Sequence, residues 1–246
     1  MSDLGFYRTE FPFREWLLLP ERLMIHLPTS TALVSDLHLA FDLARNLRGD
    51  SSPSDETNLE TILEKDLLPL WRALKRHGIS KLACGGDVFE RGGNQALGDC
   101  LLKLFHQREI RILAIATGNH DRKGKDKRTR LPWHEHGFGL GNWWVIHGDR
   151  FVPNGKNLVL GHRHPVLSLT AGQRDPCFLL GENQIILPAY SNRVPGVSII
   201  KEFRGSNWRC VAIRSQSCLD LGTMDQVHQM VHSNQKQKRT RKTGPA

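Results

Sequence analysis

Five short polar clusters recur along the 246-residue chain, and each holds residue types that bind divalent metals or move protons. They are Asp36-Leu37-His38, Gly86-Asp87, Gly118-Asn119-His120-Asp121, His147-Gly148-Asp149 and Gly161-His162-Arg163-His164. Each follows directly on an apolar run of strand type. In open α/β sheets ligands gather beyond the carboxyl ends of strands, so five such ends can deliver side chains to one cavity. Asp36 and His38 are two apart, which in extended chain points both the same way, and the same holds for His162 and His164. Gly86, Gly118, Gly148 and Gly161 supply the backbone freedom that a sharp exit toward a site requires.

The chemistry follows from the donor types. Carboxylates, imidazoles and one amide oxygen, without thiolate, suit Mn²⁺ first and Fe or Zn as alternatives, whereas Mg²⁺ prefers an all-oxygen shell. The candidate ligands are Asp36, His38, Asp87, Asn119, His147, His162 and His164. That is too many for one ion and suits two, about 3.5–4 Å apart, sharing a carboxylate. Two such ions generate a hydroxide at neutral pH and clamp a phosphoryl group during in-line attack. Any one of these histidines alone is more often an ordinary hydrogen-bonded residue. The reading rests on all five clusters occurring together, each at a strand end.

Written as DLH, GGD, GNHD, HGD and GHRH, the clusters resemble the signature of the calcineurin-like metallophosphoesterase superfamily. Within it, GDVF, GHRHP, RDPCFLL and IILPAYS look like the bacterial DNA ligase-associated metallophosphoesterases, over roughly residues 15 to 200. The resemblance implies a four-layer α-β-β-α sandwich, two mixed sheets flanked by helices. It implies a first ion on Asp36, His38, Asp87 and His164 and a second on Asp87, Asn119, His147 and His162, with Asp87 bridging. Asn119 and His120 would contact the substrate phosphate, His120 would protonate the leaving oxygen, and Asp121 would orient the His120 ring. The implied activity is that of a phosphodiesterase using a metal-bridging hydroxide on a nucleotide or nucleic acid, associated with an ATP-dependent DNA ligase and helicase. The alternatives are a nuclease or phosphomonoesterase of the same superfamily, or a nucleic-acid-binding repair accessory protein. The chain departs from the subfamily at Ala40-Phe41, where Gly-Lys is usual, and at Glu90-Arg91, where His-Ser is usual. Arg91 either binds substrate phosphate or pairs with Glu90.

The elements that must position these clusters are of α/β type. Strands are expected at 31–35, 81–84 and 110–116, with helices from about Glu56 to Gly78 and over 95–107. Pro69 predicts a kink or two helices in the first of these. After about residue 142, strand candidates at 143–146, 157–160, 177–180, 184–187, 197–201 and 208–213 leave no room for crossover helices. That half therefore reads as largely antiparallel. A single domain over 1–232 and a basic disordered tail over 233–246 are expected.

Charge is concentrated in two places within a chain of formal net charge +9. Segment 122–130 holds six basic residues and one acid, and 233–246 holds five basic residues and no acid. The loop begins directly after the GNHD cluster, so it either steers an anionic substrate or is simply solvated. Five cysteines without a C-x-x-C pair argue against a disulfide framework and a thiolate zinc site. No apolar run reaches the ~18 residues of a membrane helix, and no signal peptide is evident, so the expected location is the cytoplasm. His134-Glu135-His136 lacks the spacing of a zinc-protease helix and reads as surface loop; Gly137–Gly141 is no dinucleotide fingerprint. Trp143 and Trp144 read as core and hairpin packing.

Overall fold

Short apolar runs broken by tight turns build the first edge of the molecule. In this computed structural model the described residues are 6–8, 13–42, 56–90, 95–123, 130–150, 152–168, 173–203 and 207–242, with backbone alone at 56–58, 123 and 234–242. Strands β1 (Tyr7–Arg8), β2 (Trp16–Leu19), β3 (Leu23–His26) and β4 (Thr31–Val34) form an antiparallel meander. Arg22 closes the β2–β3 turn at φ 64°, its N–H donating to Leu19 O at 3.1 Å.

The chain then changes to parallel pairing, which requires long crossovers. Helix α1 (Glu56–His77) connects β4 to β5 (Lys81–Cys84), and α2 (Gln95–Gln107) connects β5 to β6 (Arg111–Ala116). A short β7 (Trp133–His134) pairs parallel with β6. The first sheet is thus ordered β1 to β7 in sequence order.

In α1 the stripe Leu59, Leu63, Leu67, Leu70 and Leu74 is buried at helical spacing. The helix runs unbroken through Pro69, against the expected break. Pro69 lies on the exposed face, where water can take the carbonyl that its missing N–H leaves free. The helix ends at Gly78, φ 63°, with Ile79 N–H on Leu74 O at 2.9 Å and Gly78 N–H on Lys75 O at 3.3 Å. This is a Schellman closure, which needs a left-handed residue at that place.

The second sheet comprises β8 (Phe138–Leu140), β9 (Trp143–Ile146), β10 (Asn157–Leu160), β11 (Pro165–Leu167), β12 (Asp175–Leu180), β13 (Gln184–Ile186), β14 (Val197–Ser198), β15 (Arg209–Arg214) and β16 (Ser217–Thr223). Its centre corrects the antiparallel expectation: β9, β10 and β13 are mutually parallel, and so are β11 and β14. The chain returns from β9 to β10 through a loop at 147–156, and reaches β13 only after the β11–β12 excursion. Close spacing in the sequence predicts hairpin pairing; β8–β9, β11–β12, β12–β13 and β15–β16 do pair antiparallel, whereas β9 and β10, also consecutive in the chain, pair in parallel. The strand expected at 197–201 is also shorter, since α3 (Ile199–Glu202) takes over at Ile199.

Three apolar cores follow from the strands' two-residue alternation. Ala32, Val34, Leu82, Cys84 and Ile115 pack against α1 and α2. Leu33, Ala83 and Ala114 meet Val145, Val159, Phe178 and Val211, so the two sheets share a core. Leu158, Leu160, Leu179 and Cys210 pack on Ile199 of α3 and on Met224 and Val227 of α4 (Met224–Lys242). The backbone of α4 is helical through 233–242, where a disordered tail was expected; Gln, Lys and Arg are good helix formers, and its four final residues lie outside the described set. All five cysteines are free, and no helix among the described residues is long and apolar enough to cross a membrane.

Candidate metal centre

Strands β4, β5 and β6 of the first sheet, and β9 and β10 of the second, each end in one of the five polar clusters. The loop after β4 lies along the loop after β5. Asp36 N–H donates to Gly86 O at 2.9 Å, His38 N–H to Asp87 O at 3.0 Å and Leu39 N–H to Val88 O at 2.8 Å. The backbone there is not extended, which corrects the geometry read from the sequence. Asp36 (φ 55°), His38 (φ 42°), Asp87 (φ 49°), His162 (φ 62°) and His164 (φ 44°) are all left-handed. For residues with a Cβ this conformation costs about 1–3 kcal/mol each, and such strain gathers at functional sites.

The convergence of side chains is close. Potential ligand atoms of Asp36, His38 and His164 lie within 4.8 Å of one another, and so do those of Asp87, His147 and His162 and those of His38, Glu90 and His120. Asp87 lies between the groups, its Oδ2 3.2 Å from His147 Nε2 and 3.8 Å from His38 Nε2. Asn119 Oδ1 is 3.2 Å from His147 Nε2, so all seven expected ligands are brought together.

Backbone and carboxylate oxygens set how three rings point. His147 Nδ1 lies 3.0 Å from Gly85 O, His164 Nδ1 2.9 Å from Pro195 O and His38 Nδ1 2.8 Å from Glu90 Oε2. With Nδ1–H donating outward, each Nε2 turns its lone pair inward, as in metal-bound imidazoles. His38 Nε2 and His164 Nε2 are buried without a hydrogen-bond partner among the described residues. His164 Nε2 nevertheless sits 2.9 Å from Asp36 Oδ1. Acceptors facing acceptors in a buried space call for a cation, and this donor set fits divalent metal.

The ionisation of these groups tells the same story. Burial opposes charge on Asp36, yet the His164 and His147 imidazoles and Ser35 hold it down at about 2. Burial likewise opposes protonation of His147 and His164, but Asp87 and Asp36 raise the first and Asp36 raises the second. His38 and His162 are lowered, chiefly by burial. Two carboxylates thus compete for protons on neighbouring imidazoles, a demand that a bound cation meets instead.

Around the clusters, two roles differ from expectation. Asp121 does not serve the His120 ring. Its oxygens accept the amides of Asp87 (2.8 Å), Val88 (2.9 Å), Phe89 (3.4 Å) and Gly118 (3.0 Å), tying the loops after β5 and β6 together. Burial, then the charge of Asp87, raises its carboxyl to about 6. The group beside the His120 ring is Glu90, whose carbonyl oxygen lies 2.5 Å from Nδ1 and whose Oε2 lies 3.6 Å away. In the sequence Glu90 stands out only as part of the Glu90-Arg91 departure and as a possible partner of Arg91. Its signal was an acid directly after the apolar Val88-Phe89, buried at 6% exposure. His120 N–H donates to Asp87 Oδ1 at 2.8 Å, and its side chain is 28% exposed against 2% for His38, so it stands at the open edge.

Arg91 and residues 124–129 of the basic loop lie outside the described residues. Arg122, at that loop's start, bonds Thr117 O at 2.9 Å and pairs with Asp149. His134, Glu135 and His136 are exposed and stand in none of the candidate metal groups among the described residues. Trp143 is in the shared core, and Trp144 carries Lys156 over its ring at 4.2 Å.

The chain matches no family model and no curated protein sequence. It is similar in structure to the nuclease MPE of Pseudomonas putida. The crystal structure of that protein superposes with a TM-score of 0.63 at 20% identity, covering 88% of this chain and all of the other. At that identity the likeness establishes a shared fold.

Two glycines in the centre are required by close approach. A Cβ on Gly161 would lie 1.9 Å from Ser35 Oγ and 2.6 Å from Asp36 Oδ2, and one on Gly118 would lie 2.1 Å from Asp87 Oδ1. Gly86 (φ 106°) is required on both counts, since a Cβ there would lie 2.6 Å from His147 Nδ1, and Gly148 (φ 99°) needs its left-handed backbone. Gly161→Ala is therefore expected to displace Asp36. Metal content after dialysis should fall, the unfolding free energy should drop by the ~1–3 kcal/mol typical of overpacking, and the midpoint should fall with it. An alanine variant with unchanged metal content and midpoint would refute the crowding argument.

Proposed function

We propose that the protein is a dinuclear-metal-dependent phosphodiesterase, a member of the calcineurin-like metallophosphoesterases with their four-layer sandwich, acting on a nucleic-acid substrate. The observation that carries this reading is Asp87, set between one Asp/His group and one His/His pair with unpartnered imidazole nitrogens beside it. The shared fold with a protein named as a nuclease supports the substrate class.

When bound, two divalent ions supply an activated water and neutralise charge on the phosphoryl oxygens. The protein's own groups do the rest. Glu90 and the Gly85 and Pro195 carbonyls keep three ligand rings in one orientation. Asp121 holds the loop that carries Asp87 and the turn that carries His120 in fixed relation. Asn119 and His120 bind the phosphate, and His120 gives the departing oxygen its proton from the open edge of the site.

The test is hydrolysis by chelator-stripped protein restored with Mn²⁺, Fe²⁺ or Zn²⁺. Bis(p-nitrophenyl) phosphate, p-nitrophenyl phosphate, 2′,3′-cyclic nucleotides and labelled DNA serve as substrates. Metal-dependent cleavage of the diester and of DNA, with little on the monoester, is the expected pattern. A protein that binds DNA but hydrolyses none of these with any metal would overturn the enzyme reading in favour of an accessory role.

A further inference from the structure

Beside the metal centre lies a cleft of about 570 Å³ that the catalytic reading does not use. It reaches Leu37 and His38 and is lined by Arg22, Lys65, Arg72, Arg76 and Arg193 against the acids Glu21 and Asp66. Both acids are engaged already: Glu21 by Arg76 at 2.5 Å, Asp66 by Ala40 N–H at 3.1 Å and by Arg193 at 3.4 Å. Among the described residues Arg22 meets carbonyl oxygens, those of Ala189 (3.5 Å), Tyr190 (3.5 Å) and Ser191 (3.1 Å), and no hydrogen-bonded carboxylate. Lys65 and Arg72 are exposed and have no hydrogen-bond or ion-pair partner among the described residues.

The cations are in a row. Lys65, Arg72 and Arg76 share with Pro69 one face of α1, spaced as successive turns of a helix. From Lys65 to Arg76 the rise is about 16 Å. One strand of nucleic acid carries a phosphate every ~3.4 Å of duplex axis, so such a row faces several phosphates rather than one. Among the described residues Tyr190 is the one Phe, Tyr or Trp lining the cleft, and it offers no stacking platform. It is buried, and its hydroxyl donates to Asp66 O at 3.0 Å and accepts Leu70 N–H at 3.2 Å. Contacts to phosphate without contacts to bases position a strand but do not read its sequence.

We propose that this cleft binds the phosphate backbone of a nucleic-acid strand, with no base preference, and leads it to the metal centre at His38. The delivery of the strand to chemistry rests on the phosphodiesterase reading; the binding itself does not.

Binding is measured with metal-free protein in chelator, so that no turnover intervenes. The probe is a mixed-sequence fluorescein-labelled single strand of about 20 nucleotides, longer than the ~4–16 that strand-binding grooves cover. Its anisotropy is followed across salt concentration for the wild type and for Lys65→Gln/Arg72→Gln. Two lost contacts at ~0.7 each should flatten the log–log salt slope by about 1.4 and weaken binding about 25-fold at ~0.1 M salt. Hydrolysis of bis(p-nitrophenyl) phosphate with Mn²⁺ should be the same in both proteins. Identical affinity and slope in the two proteins would overturn the proposal, as would strong dependence on base sequence. A wild type that cleaves the small diester but binds no strand defeats this inference alone; one that binds through the cleft but cleaves nothing defeats the enzymatic reading alone.

Discussion

Asp87→Ala is expected to lower kcat/KM by at least about 10³-fold, the loss that ~4 kcal/mol of transition-state stabilisation sets. Its Oδ2 faces ligand nitrogens of both groups, at 3.2 Å to His147 and 3.8 Å to His38, so no neighbour can replace it. The effect on the metal-free fold should be small. The variant loses the Oδ1 bond to His120 N–H, worth about 0.5–1.5 kcal/mol. It also removes a buried acid, so Asp36 and Asp121 each lose a like charge beside them. Metal binding supplies the decisive contrast. Saturating the wild type at about 100 Kd should add ~2.7 kcal/mol, a rise in midpoint of about 5–11 °C for a chain of this size. Scanning calorimetry with and without Mn²⁺ should show that rise in the wild type and none in Asp87→Ala. A variant that kept both the rise and the activity would show that Asp87 holds no metal.

His120→Ala should separate chemistry from metal binding. His120 is not among the seven expected ligands, although its ring groups with His38 and Glu90 as a third candidate set; if the ions sit in the other two groups, metal content and the metal-induced rise in midpoint should survive. Turnover of an alkyl phosphodiester should fall by about 10²–10⁴-fold, the usual contribution of a general acid. Its ring stands at the open edge, with Nδ1 taken by the Glu90 carbonyl and Nε2 left to face a substrate. A p-nitrophenolate leaves without a proton, so bis(p-nitrophenyl) phosphate should lose far less. Equal losses on both substrates would remove the acid role from His120, and loss of metal would make it a ligand.

Both results depend on parts of the molecule that differ in how far the sequence reveals them. The candidate set was legible because metal chemistry restricts residue type and because each cluster follows an apolar strand. All seven expected ligands do converge. The crossover region was legible too, since α1 and α2 bury regular apolar stripes, and the bounds expected for α2 are those observed. The second half was less so. Its strands could be located one by one, but the parallel centre depends on β9 and β10 pairing without a hairpin and on β13, a partner distant in the chain. The meander's hairpin at 16–26 and the short strand β11 escaped notice because runs of three or four residues carry little periodicity.

The sequence by itself determined which chemistry the site can host, for carboxylate, imidazole and amide are properties of residues and need no fold. Tertiary structure decided how they are held. Left-handed backbone at five ligands, where extended chain was expected, is sustained by bonds between loops from different strands. Asp121 became an anchor of those loops, and Glu90 became the acid beside His38 and His120, because each answers to groups more than 29 residues away. The basic cleft is of the same kind. Nothing in the sequence singles out Lys65 and Arg72, and only the packing of α1 beside the β4 exit sets their face against the metal centre.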